Sequence, residues 1–152
     1  MSTLPKTFLT PEEYLEIERK AEFRSEFYQG EMFAMAGGTG NHTMLIDNLI
    51  VQLGQKLRGG HCRAFSNNMR VRVDATGLYT YPDVVVACGE RRFLDERHDT
   101  LLNPMLIVEV LSDSTEAYDR GDHCAEGRRA RAAAGTFGNF MAGELVDRRS
   151  HA

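Results

Sequence analysis

The chain has 152 residues, the size of one ordinary domain, with 42% hydrophobic and 26% charged residues. These are globular values that exclude a disordered or membrane-embedded chain. A net charge of -4 gives no overall attraction to polyanions, so any nucleic-acid contact has to come from a local basic surface.

No apolar run reaches membrane-spanning length, and no N-terminal apolar segment reads as a signal. Cys62, Cys88 and Cys124 lack metal-type spacing, so the expectation is reduced thiols in a cytoplasmic protein.

In chain order, Met1 to Leu9 reads as a lead-in. Thr10-Pro11-Glu12-Glu13 is a helix start, with Thr10 as cap, Pro11 in the first turn and Glu13 closing a capping box. Tyr14, Leu15 and Ile17 give this helix an apolar face, and it is expected to run to about Phe23. Glu26 to Met35 reads as extended chain on either side of a turn at Gly30. Gly37-Gly38-Thr39-Gly40 lacks the Gly-Lys-Ser/Thr ending of a phosphate loop and the spacing of a dinucleotide fingerprint. It is expected to be a turn before a helix capped by Asn41. Ile46, Ile50, Leu53 and Leu57 form that helix's apolar stripe, widened by Leu45 and Leu49, and Gly59-Gly60 stop it.

A β-rich part follows. Cys62 to Phe65 and Met69 to Val73 are short strands, and Asp74 to Gly77 supply turn chemistry. Tyr79 to Cys88 reads as one strand, and a charged loop leads to Pro104 and a second apolar strand at Leu106 to Ser112. Ser112 to Thr115 offer caps for a further helix. After Asp122 the chain turns Arg/Ala/Gly-rich, with no strand expected to pair with the sheet.

Each of the two apolar strands carries a carboxylate, Asp83 and Glu109. A carboxylate in such a run is costly to bury unless a cation, a donor or a proton compensates it. Two of them on neighbouring strands suggest one shared hard cation, Mg²⁺ or Mn²⁺. Read from the residues alone, a Pro-Asp turn entering a strand is the simpler account of Asp83, and an ion pair with Arg70 or Arg72 is the structural alternative for Glu109. Arg70, Arg72, Arg91 and Arg92 read either as solvated charges or as a phosphate-contacting surface. His42 reads as a packing or capping residue.

Glu26 with Gly30-Glu31, His42 opening the long helix, Tyr81-Pro82-Asp83-Val84, Val108-Glu109-Val110-Leu111-Ser112 and Tyr118-Asp119-Arg120-Gly121 occur in this order. Together they resemble the bacterial putative restriction endonuclease family of the PD-(D/E)XK nuclease superfamily, over about Thr10 to Asp122. The resemblance implies an α/β, restriction-endonuclease-like fold: a mixed β-sheet flanked by helices, with an incomplete or poorly ordered C-terminal part. It implies a nuclease-like domain over residues 1–122 and a divergent tail over 123–152.

It further implies Asp83, Glu109 and the Val110 carbonyl as metal ligands, with Glu26, in the first helix region, near the metal. DNA is the implied substrate and Mg²⁺ or Mn²⁺ the implied cofactor. Superfamily nucleases often pair, so a homodimer is compatible with this reading.

Two departures stand out. The superfamily's lysine follows the Glu by two positions, where this chain has Leu111; family members carry it on the following helix, where this chain has His123. Lys6, Lys20 and Lys56 are the only lysines. The resemblance also stops abruptly near Gly121 to His123, as a reading-frame shift would make it. The expected function is therefore metal-dependent hydrolysis of DNA phosphodiester bonds, with impaired activity. The alternatives are a catalytically inactive nuclease-fold remnant acting as a binding domain, and an interaction domain whose carboxylates are satisfied by arginines.

Overall fold

The structure is a computed structural model that describes residues 8–111 and 137–141, with only the backbone of Leu111 and of 137–141 described. Helix α1 spans Pro11–Glu18. Its start is the expected one: the Thr10 side chain accepts from the Glu13 N–H, and the Glu13 carboxylate accepts from the Thr10 N–H. The helix stops five residues earlier than its apolar face suggests, because the Glu18 carboxylate is turned to accept from the Ser25 N–H at 3.0 Å. That contact folds the chain back into β1, Ser25–Tyr28, which forms a hairpin with β2, Glu31–Ala34. The two-residue turn puts Gln29 and Gly30 at positive φ, the conformation that suits a tight hairpin and favours glycine.

Helix α2 spans Gly40–Lys56 and is capped by Thr39 rather than Asn41, its hydroxyl accepting from the His42 N–H at 3.3 Å. Strands β3, Cys62–Ser66, and β4, Arg70–Val73, match the sequence reading. The strand expected over Tyr79 to Cys88 is instead two, β5 at Leu78–Thr80 and β6 at Val84–Cys88. Pro82 lies between them, and a residue without an N–H interrupts a ladder. Strand β7, Thr100–Leu101, lies in the charged loop, and β8 spans Leu106–Leu111.

Strand β9, Phe137–Met141, corrects the expectation that nothing after Asp122 pairs with the sheet. It runs parallel to β8, with Ile107 opposite Phe137 and Leu111 opposite Met141. Gly138 and Asn139 break any apolar alternation there, yet ladder bonds are made by backbone groups. The expected cap at Ser112, the helix after it, His123, Cys124, the reading-frame shift and the rest of the divergent tail lie outside the described residues.

The strands form two mixed sheets, in the orders β2-β1-β5-β4-β7 and β3-β6-β8-β9. Tyr14 and Leu15 of α1 pack on Phe27 and Tyr79, on one face of the first sheet. Ile46 of α2, helped by Leu45, Leu49, Ile50 and Leu53, packs on Val84, Val108 and Val110 of the second. Val71 and Leu101 of the first sheet meet Val85, Ala87 and Ile107 of the second in a core that the sheets share. The layers therefore run α1, first sheet, shared core, second sheet, α2.

Cys62 and Cys88 are not free thiols. They are register partners on β3 and β6 and are joined in a disulfide. Their 26-residue sequence separation hides a contact that only strand pairing creates. Among the described residues no helix is long and apolar enough to cross a membrane.

Candidate functional site

Residues 81–83 carry the chain from β5 in the first sheet to β6 in the second. Strands β6 and β8 are antiparallel, with Val84 opposite Val108. Continuing that register puts Asp83 opposite Glu109 and Pro82 opposite Val110. Pro82 has no N–H to give to the Val110 carbonyl, so the ladder cannot extend there. Both backbone groups of Val110 are met by side chains instead. Its N–H donates to Asp83 Oδ2 at 2.7 Å, and its carbonyl accepts from His42 Nε2 at 2.8 Å. His42 Nε2 also lies 3.2 Å from Asp83 Oδ2. Two oxygens, the Asp83 carboxylate and the Val110 carbonyl, thus converge on one point, which the His42 ring nitrogen holds. Both side chains there are largely buried, with 14% of His42 and 15% of Asp83 exposed.

Glu26 and Glu109 approach this place from different sheets. Successive side chains in a strand alternate between faces. Val108 and Val110 face α2, so Glu109 shares the opposite face with Ile107, toward the shared core. On the first sheet Phe27 faces α1, so Glu26 lies on the core side, where its carboxylate accepts from the Thr80 hydroxyl. Thr80 is the register partner of Val71, itself a shared-core residue. Glu26 therefore sits on a strand, not in the first helix region. Among the described residues no three or more His, Cys, Asp or Glu side chains form a group that could hold a metal ion. Of the sequence candidates, Asp83 and the Val110 carbonyl both lie against His42 Nε2. His123 lies outside the described residues.

The arginine alternative for Glu109 is not the arrangement found for Arg70 and Arg72. They share the α1 side of β4, away from Val71. Arg70 is buried and donates to the Thr100 hydroxyl at 2.9 Å and to the Tyr81 hydroxyl at 3.0 Å, and it pairs with Asp99 at 3.1 Å. Arg72 lies 3.6 Å from Asp74. Arg91 and Arg92 are exposed.

The Tyr81 hydroxyl in turn donates to Glu18 Oε1 at 3.0 Å, tying the crossing segment to the end of α1. Burial pushes the Tyr81 phenol up to about 12, so it stays a neutral donor. Burial also raises Asp99, but donation from Arg19 and the charge of Arg70 outweigh it and leave the carboxyl at about 2.

Sequence reasoning missed Thr80, and it read His42 as a packing or capping residue without its partners Asp83 and Val110. Thr80 gives no motif signal. His42 gives a faint one, a histidine three residues after a Thr cap, but its partners are set by a strand far along the chain.

The fold is a mixed α/β fold of the nuclease-like type. A family model described as Uma2, putative restriction endonuclease, matches residues 11–136, and the chain belongs to that family. Two uncharacterized proteins from Synechocystis sp. (strain ATCC 27184 / PCC 6803 / Kazusa), slr1290 and sll1609, are similar to it. They are 40% identical over 115 residues and 38% identical over 112 residues, and each match covers 74% of this chain. The chain spans only 58% and 63% of their lengths. The crystal structure of a putative nuclease belonging to DUF820, from Anabaena variabilis ATCC 29413, has the same fold. Its TM-score is 0.57 at 21% identity, over 76% of this chain and 66% of that one.

Proposed function

We propose that the chain is a metal-dependent endonuclease-like protein that hydrolyses phosphodiester bonds in DNA. One observation carries this reading: Asp83 Oδ2 and the Val110 carbonyl oxygen converge on a single point beside α2. The donor set fits Mg²⁺ or Mn²⁺, since both donors are hard oxygens and one is charged. Asp83, Glu109 and the Val110 carbonyl would hold the cation, with Glu26 near it. Such a cation supplies Lewis acidity toward a phosphodiester and a more acidic water.

The chain's own residues set the frame. Pro82 keeps the ladder from closing over the Val110 carbonyl. Asp83 fixes the Val110 N–H, and Thr80 orients Glu26.

Leu111, where the superfamily has lysine, favours a second reading, an inactive remnant of the fold that binds without turnover. A missing cation near the developing negative charge costs rate by some powers of ten. Plasmid DNA incubated with Mg²⁺ or Mn²⁺ and either the chain or Asp83→Ala distinguishes the two. Nicking by the chain and none by Asp83→Ala is the expected result, and equal nicking removes the metal assignment. Metal binding without nicking selects the remnant.

A further inference from the structure

We propose that His42 is a positioning residue that stands in for the cation. Its Nε2–H holds the Asp83 carboxylate and the Val110 carbonyl around one point and leaves that point when a divalent cation takes it. This rests on the metal-centre reading above.

The Val110 carbonyl can only accept, so the nitrogen 2.8 Å from it carries the proton. A protonated ring nitrogen has no lone pair for a metal. His42 in this pose is therefore a donor to the ligands and not itself a ligand. The other ring nitrogen supports the distinction. A ligating histidine is usually fixed by a hydrogen bond from its second nitrogen, but among the described residues the buried His42 Nδ1 has no hydrogen-bond partner. Among the described residues the ring is thus tethered through Nε2 alone, while the backbone is held by the Thr39 cap. Rotation of one side chain frees the point without disturbing α2.

Distances make the two occupants exclusive. The oxygens stand at 2.8 and 3.2 Å from Nε2, hydrogen-bond range, whereas Mg²⁺ takes oxygens at about 2.0–2.1 Å. A cation at that point needs the oxygens drawn inward and the ring gone. Without either occupant, the Val110 carbonyl would lose its donor, while Asp83 Oδ2 would keep the Val110 N–H. The loop before α2 is shaped to admit the ring. A Cβ on Gly38 would lie 2.7 Å from His42 Nδ1, so a larger residue there would push the imidazole off its place.

The test is calorimetric titration of Mn²⁺ into the full chain, His42→Ala, His42→Gln and Asp83→Ala, with melting curves in EDTA and in Mn²⁺. Losing the competing donor should make His42→Ala bind Mn²⁺ roughly fivefold to tenfold tighter, the worth of about one hydrogen bond. Its Tm should fall in EDTA and rise with Mn²⁺ by more than that of the parent chain. His42→Gln, which keeps an amide donor, should lie between. Binding by His42→Ala but not by the parent chain would also support the inference.

Weaker binding by His42→Ala identifies a ligand, and unchanged binding a mere cap; either overturns the inference while the metal reading stands. No binding by any of these proteins, or equal binding by the parent chain and Asp83→Ala, overturns both. Should His42→Ala not fold, the imidazole ¹⁵N signals of the parent chain decide: Mg²⁺ at saturation should shift the His42 Nε2 signal, and an unmoved signal overturns the inference.

Discussion

Pro82 and Asp83 act together on Val110, one by withholding a donor and the other by supplying an acceptor. The consequences of changing Asp83 should therefore separate into two parts. In Asp83→Asn the amide oxygen can still accept from the Val110 N–H, so folding stability should stay within about 1 kcal/mol of the parent. In Asp83→Ala that largely buried N–H loses its partner, and stability should fall by about 1–3 kcal/mol. On the proposed metal-centre reading both substitutions remove a charged ligand, so both should lose Mn²⁺ binding. Urea unfolding and calorimetry on the two variants check this. Equal stability of the two would mean that the Asp83–Val110 bond contributes nothing to the crossing.

Among the elements, α1 shows how uneven legibility was. Its start was readable because a capping box is a local event within four residues, and the Thr10–Glu13 bonds form as expected. Thr10→Ala should cost about 0.5–2 kcal/mol in chemical denaturation. Its end was not readable, because it depends on the Glu18 carboxylate reaching Ser25 and on Tyr81, 63 positions away. The apolar face continued past Glu18 in sequence, while Ile17 and Phe23 are exposed in the structure. The crossing from β5 to β6 was hidden for a related reason. Tyr79 to Cys88 is apolar apart from Thr80 and Asp83, and only Pro82 hints that it serves two sheets.

Tyr81→Phe tests the tie between α1 and that crossing. It leaves Glu18 Oε1 and Arg70 Nη1 each short of one buried partner, and should lower stability by about 1–3 kcal/mol with little change in Thr10-dependent capping. A double-mutant cycle with Thr10→Ala that departs strongly from additivity would contradict this separation.

For the whole molecule, the α/β class and the two apolar strands that carry Asp83 and Glu109 were legible because buried strands, turns and family motifs are written locally. The division into two sheets, the Cys62–Cys88 bond and the pairing of β9 were not, since each depends on which distant strands become neighbours. Charge placement was equally illegible from composition. Arg19, just past α1, bonds Asp99 at 2.8 Å and Asp95 at 2.7 Å, clamping the helix to the loop that carries β7, while Arg70 reaches Asp99 from β4. This clamp sets the acid limit of the fold. Asp99 titrates at about 2 in the folded chain, below its ordinary value of 3.8, so the unfolded chain takes up its proton first. The stabilisation from this group is complete above pH ~4 and is lost as pH falls toward about 2. Tyr81 is one of three buried tyrosines, with Tyr14 and Tyr79, that act on the alkaline side in the opposite sense. Its folded value of about 12 lies above the ordinary 10.0, so the unfolded chain releases that proton first, and stability falls as pH rises from about 10 to 12. Urea unfolding across pH should therefore lose stability at both ends. Asp99→Asn should make the acid limb shallower and leave the alkaline limb in place, and Tyr81→Phe should make the alkaline limb shallower without removing it, because burial also raises Tyr14 and Tyr79. An acid limb as steep in Asp99→Asn as in the parent chain would show that the clamp is not what acid releases.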